Sequence, residues 1–72
     1  MEYKTQNEQV LDYIVRNGSI TQRDAMIDLG VMRLAARVSD LRKQGHNIET
    51  RRESKPNRDN REVSYARYYM GG

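Results

Sequence analysis

The chain has no cysteine, no tryptophan and no phenylalanine, and only one proline and one histidine. Without cysteine there is no disulfide framework and no thiolate metal site. A single histidine builds a metal site only with several carboxylates aimed at it, and no such spacing occurs. No metal or other cofactor is therefore expected. No apolar run approaches the roughly 18 residues that a membrane-spanning helix needs. The opening MEYKTQNEQV lacks a basic stretch leading into an apolar one, so it does not read as a secretory signal. The default location is the cytoplasm of the cell that makes the protein. No nucleophile, base and orienting group recur in a plausible pocket, so the chain does not read as an enzyme.

What is present is charge, unevenly placed. Residues 1–30 carry three basic and five acidic side chains, whereas residues 31–72 carry ten basic and five acidic ones. A polyanion is attracted to the second part and repelled from the first, which sets orientation as well as affinity. Solubility alone is the competing explanation of such charge, so its placement on the elements has to decide. Seventy-two residues make one domain, spanning 1–72, with a small core and with frayed ends at about 1–4 and 71–72. There is no internal repeat and no linker.

Thr5 with Glu8 is a capping box, and it predicts a first helix from about Gln6 to Asn17. Val10, Leu11, Ile14 and Val15 form its apolar stripe, and Gly18 is its left-handed stop. Ser19 and Ile20 make a short link in which Ile20 is placed to form a brief strand. A second helix starts after Thr21, again with an acid three residues on, Asp24. Ala25, Met26 and Leu29 are expected inward, Gly30 ends the helix and Val31 plugs the turn. A third helix is expected from about Met32 to Gln44, with Leu34, Ala35, Val38 and Leu41 inward. Met32, Arg33, Ala36, Arg37, Asp40, Lys43 and Gln44 form its outer surface. Gly45 closes it, and Arg42 and Lys43 in its last turn suit the helix dipole.

From His46 the period changes to two. Residues 47–52 alternate, with Ile48 and Thr50 on one face. Residues 53–61, ESKPNRDNR, hold the only proline and several turn formers, so they read as a loop. Val63 to Met70 alternates again, with Ala66, Tyr68 and Met70 expected inward and Tyr65, Arg67 and Tyr69 outward. The expected core is Val10, Leu11, Ile14, Ala25, Leu29, Val31, Leu34, Val38, Leu41 and Ile48. Three helices, a tight turn before the last, and a two-stranded hairpin give an α+β fold: a helix-turn-helix followed by a wing.

The string GSITQRDAMIDLGVMRLAARVSDLRKQGHNIETR resembles the small winged helix-turn-helix proteins common in bacteriophages and integrated mobile elements. The matching pieces are Gly18 to Thr21, Leu29 to Val31, Leu34 to Arg42, Gly45 and Ala66 to Tyr68. The resemblance covers roughly residues 6–70. It implies a DNA-binding regulator in a bacterial host cell, and supports the fold more than the biological role. One departure concerns the turn. Ala25 is followed by a glycine five positions later rather than the four of compact repressors, so the turn is one residue longer.

On this reading double-stranded DNA is the partner, and the binding residues fall in three groups. Arg33 and Arg37, on the outer side of the third helix, are the base-reading candidates, because a guanidinium donates two parallel bonds to guanine. Ala36 leaves room between them, Met32 can meet a thymine methyl, and Lys43 adds charge. Alternatively, Asp40 simply holds Arg37, and Met32 is core. Thr21, Gln22 and Arg23 open the second helix, where a phosphate can sit, although capping alone explains Thr21. Arg51, Arg52, Lys55, Arg58 and Arg61 surround the wing, in contact with the backbone or paired with the interspersed acids. Tyr65, Tyr68 and Tyr69 either stack on unpaired bases or fill the core. His46 reads as a solvated or capping residue.

Two functions follow. One is a duplex DNA-binding protein, either a transcriptional regulator or an excisionase-like architectural factor, with copies associating cooperatively on DNA. The other is a phage-encoded inhibitor that uses the same fold to bind a protein of a host nucleic-acid machine.

Overall fold

The computed structural model describes residues 5–71. The ends expected to fray at residues 1–4, and Gly72, lie outside the described residues. Helix α1 spans Gln6–Asn17. The Thr5 hydroxyl accepts from the Glu8 amide at 3.2 Å, and the Glu8 carboxylate accepts from the Thr5 amide at 3.4 Å. Gly18, with φ of 89°, ends the helix by donating to the Ile14 carbonyl. Val10 and Ile14 are buried and Leu11 is half-buried, but Val15 is 68% exposed. Each residue turns the helix about 100°, so a stripe centred on Val10 and Ile14 carries Val15 out of contact.

Strand β1 is Ile20–Thr21. Helix α2 opens with an α-helical turn, Gln22–Asp24, under a second capping box between Thr21 and Asp24. It continues as a π-helical turn, Ala25–Leu29. The amide of Gly30, at φ of 70°, donates to the Ala25 carbonyl five residues back. The extra residue counted between Ala25 and Gly30 is thus absorbed by a widened turn. This corrects the expected facing of Met26. Ala25 is buried and Leu29 half-buried, while Met26 is 45% and Ile27 68% exposed. A wider turn advances less per residue, so positions 26–28 bulge together toward solvent.

Helix α3 spans Leu34–Lys43 and starts two residues later than expected. Val31 is fully buried and anchors the turn, so Met32 and Arg33 run on non-helical backbone, with Arg33 at φ −124°, ψ 70° in the N-cap position. Leu34, Val38 and Leu41 face the core. Ala35, expected inward, is exposed, whereas Ala36 is half-buried. The helix ends as the His46 amide returns to the Leu41 carbonyl at 3.1 Å, with Gly45 at φ of 102°.

Strands β2, Ile48–Pro56, and β3, Glu62–Met70, form an antiparallel hairpin, and the sheet order is β1-β3-β2. Ile20 lies opposite Tyr68 and Ile48 opposite Met70. The loop expected at 53–61 is shorter. Glu53 to Pro56 pair in register with Tyr65 to Glu62, leaving Asn57–Arg61 as the tip. Pro56 is tolerated because it ends an edge strand, where its missing N–H breaks no ladder bond. The Asn57 side-chain oxygen accepts from the amides of Asp59 and Arg61 at 3.0 and 3.1 Å, and Asn60 adopts φ of 62°. Gly71, read from sequence as frayed, donates its amide to the Asn47 carbonyl at 2.7 Å.

The core comprises Val10, Ile14, Ile20, Ala25, Val31, Leu34, Val38, Leu41 and Ile48, with Leu11, Tyr13, Leu29, Tyr68 and Met70 packed against it. Ile20 joins the core from β1, and the inward facing of Tyr68 and Met70 is as the alternation predicts. Among the described residues no helix is long and apolar enough to cross a membrane.

Candidate nucleic-acid interface

The third helix is tied to other elements at both ends by polar side chains. Gln22 spans the turn: its amide nitrogen donates to the Val31 carbonyl at 3.1 Å, and its oxygen accepts from the Leu34 amide at 3.0 Å. Arg33 supplies no side-chain cap, so Gln22 serves as a cap donated from α2. At the far end Arg42 donates from Nε to the Ile48 carbonyl at 2.8 Å and from Nη2 to the Thr50 hydroxyl at 2.8 Å. The start of the wing is thereby fastened to α3. A third tie comes from Arg67, which donates to Glu53 at 2.9 Å and to the Ser19 hydroxyl at 2.9 Å. The Arg67 hydrogen bond lowers the Glu53 carboxyl below its ordinary range, and Glu53 in turn raises Arg67.

The first group of expected site residues divides. Thr21 is only 7% exposed and its hydroxyl is taken up by the Asp24 amide at 3.2 Å. Gln22 is committed to the turn. Arg23 is exposed. Thr21, Gln22, Arg23 and Lys55 nevertheless line one groove of about 340 Å³, together with Asp24, Val63, Tyr65 and Arg67.

The second group follows the corrected start of α3. Met32, 67% exposed, and Arg33 stand in the turn just ahead of the helix. Arg37 pairs with Asp40 at 3.4 Å and is half-buried. Lys43 is exposed in the last turn. Ser39, which sequence reasoning missed, is exposed one turn after Ala35. It becomes visible once Leu34, Val38 and Leu41 fix the inward side.

The third group lies on the hairpin. Arg51 and Lys55 share the outer face with Tyr65, Arg67 and Tyr69, because alternate residues of paired strands stand on one side. Arg52 stands on the opposite face, across from Ala66. Arg58 and Arg61 lie in the tip. Every one of these cations except Arg67 is exposed.

A family model described as a winged helix-turn-helix domain matches residues 5–72. The chain belongs to that family. No curated protein matches it. In this winged helix-turn-helix chain, Asp24 of α2 lines the same groove as Lys55 and Arg67 of the hairpin. Asp28 of α2 is engaged with α1: the Tyr13 hydroxyl donates to it at 2.6 Å. That bond to a carboxylate, with desolvation and the charges of Asp24 and Asp28, pushes the Tyr13 hydroxyl up to about 12.

Proposed function

We propose that this domain binds double-stranded DNA through the start and exposed side of α3 in the major groove and the hairpin along the backbone. The observation that carries the reading is the fixed pairing of a helix-turn-helix with a cationic hairpin: Gln22 fixes the turn before α3, and Arg42 ties α3 to the hairpin. Arg33 is the base reader, since it stands exposed at the N-terminal end of α3, the end that contacts base edges in this motif. Met32 lies beside it for a thymine methyl, and the exposed Ala35, rather than the half-buried Ala36, gives space. Arg37 is held by Asp40 and adds a phosphate contact, as does Lys43. Arg23, exposed at the opening of α2 where Thr21 and Gln22 are taken up by the fold, faces a phosphate, and Arg51, Arg52, Lys55, Arg58 and Arg61 carry the wing's sequence-independent affinity.

A single module of this kind buries about 600–1,000 Å² on DNA and specifies few base pairs. Copies therefore associate cooperatively on neighbouring sites. The role is that of a transcriptional regulator or excisionase-like architectural factor of a phage or mobile element, acting in the cytoplasm of a bacterial cell. A mobility shift with random duplex at low salt tests it. A retarded band that disappears as salt rises is the expected result. No band at low salt would favour the alternative, a protein-binding inhibitor, for which the exposed Met26 and Ile27 on α2 offer apolar contacts.

A further inference from the structure

The outer face of the hairpin carries two rings that the duplex reading does not use, beside two cations, Arg51 and Lys55, that it does. Tyr65 and Tyr69 stand on the same side of β3 with Arg67 between them. The Arg51 guanidinium lies 5.5 Å from the Tyr69 ring centroid, and the Lys55 ammonium 5.7 Å from that of Tyr65. Tyr68, by contrast, is spent on the core. Each outward ring is thus matched with a long, exposed cation that can swing from the ring onto a phosphate. Arg67 cannot swing, because Glu53 and Ser19 hold it, so the two rings are separated by a fixed planar cation.

Tyr65 and Tyr69 are four positions apart along the strand, about 13 Å. Stacked nucleotides rise only about 3.4 Å each, so neighbouring bases of a stacked strand cannot reach both rings. Within a duplex the base faces are covered by their neighbours. A drawn-out single strand meets the geometry: its splayed bases stack on the rings, and the intervening phosphates meet Arg51 and Lys55. Of the acids near this face, Glu53 is paired with Arg67, Glu49 lies opposite Tyr69, and Asp24 lines the groove beside Tyr65.

We propose that the outer face of the hairpin is a second nucleic-acid site, which takes a short unpaired segment by stacking bases on Tyr65 and Tyr69. It shares Arg51 and Lys55 with the duplex reading but not the two rings, so variants of the rings separate the two.

The test is titration of the full chain with a short oligothymidylate, and with an abasic strand of the same length, at low salt. Tyr65→Ala and Tyr69→Ala are each expected to weaken oligothymidylate binding by roughly 5- to 100-fold, while Tyr65→Phe and Tyr69→Phe retain it. The same alanine variants keep the wild-type affinity for random duplex, and the wild-type protein binds the abasic strand far more weakly than oligothymidylate. Failure of the wild-type protein to bind oligothymidylate, equal binding of the two strands, or unchanged binding by both alanine variants would overturn the proposal. If an alanine variant does not fold, the comparison of the two strands on wild-type protein decides.

Discussion

Gln22 carries the first amide of the third helix: its side-chain oxygen accepts from Leu34 N–H at 3.0 Å while its nitrogen donates to the Val31 carbonyl. Helix α3 has no cap of its own, so its start is fixed by a residue twelve positions earlier. The approach of α3 to α2, and with it the position of Arg33, depends on this amide group together with the buried Val31.

Gln22→Ala removes both bonds and leaves two partly buried backbone groups to find water. It should destabilise the domain by about 1–2 kcal/mol in urea unfolding. Gln22→Glu keeps the acceptor for Leu34 but loses the donor to Val31, and should lie between the two. An alanine variant as stable as the parent would show that the turn is held by Val31 packing alone.

Leu34 and Leu41 are buried to about 1% exposure or less, and they mark the inward side of α3. Leu34→Ala or Leu41→Ala should cost about 2–5 kcal/mol. Val15→Ala and Ile27→Ala, at positions each 68% exposed, should stay within about 0.5 kcal/mol. Thermal unfolding of the four variants gives the comparison. Equal effects for the buried and exposed pairs would contradict the assigned faces.

Tyr13 joins α1 to α2 through Asp28, and its hydroxyl is pushed from the ordinary 10.0 up to about 12. The folded state therefore holds this proton more tightly than the unfolded chain. The resulting stabilisation is complete below pH 10 and disappears as pH rises through about 12. Tyr13→Phe should be less stable than the parent at neutral pH, with the difference shrinking across that alkaline window. A difference that is constant with pH would mean that the hydroxyl is not bonded to Asp28 in solution. Absorbance titration should show a tyrosine that ionises near pH 12.

Much of this architecture was legible locally. Thr5–Glu8 and Thr21–Asp24 announce their helices because a capping box needs only four residues. Alternation placed Tyr68 and Met70 inward because one face of the sheet must be apolar. Ala35 and Ala36 were exchanged because two adjacent residues of equal size give the hydrophobic pattern nothing to choose between. Glu53 to Pro56 looked like a loop because turn formers dominate there, whereas pairing with Glu62 to Tyr65 extends the strand. The site was less legible still. Gln22 and Arg67 act across long stretches of chain, and a polar side chain that bridges distant elements leaves no periodic signature. For Arg37, both the base-reading role and the pair with Asp40 were available from the spacing, and the structure forms the pair.

The hairpin cations set the salt dependence of DNA binding. Each phosphate met by Arg51, Arg52, Lys55 or Arg58 should add about 0.9 to the slope of log affinity against log salt. Arg52→Ala, Lys55→Ala and Arg58→Ala should each flatten it by about that amount. A slope that does not respond to these changes would remove the wing from the interface.

The most direct measurement is a pair of titrations, preferred duplex and random duplex at one salt concentration, for the parent, Arg33→Ala and Arg58→Ala. If α3 reads bases from the major groove, Arg33→Ala costs about 1–3 kcal/mol on the preferred duplex and far less on random DNA. Arg58→Ala lowers both affinities by a similar factor. Equal losses on both duplexes for Arg33→Ala would make Arg33 a phosphate contact, and no loss on either would take α3 out of the groove and contradict the account.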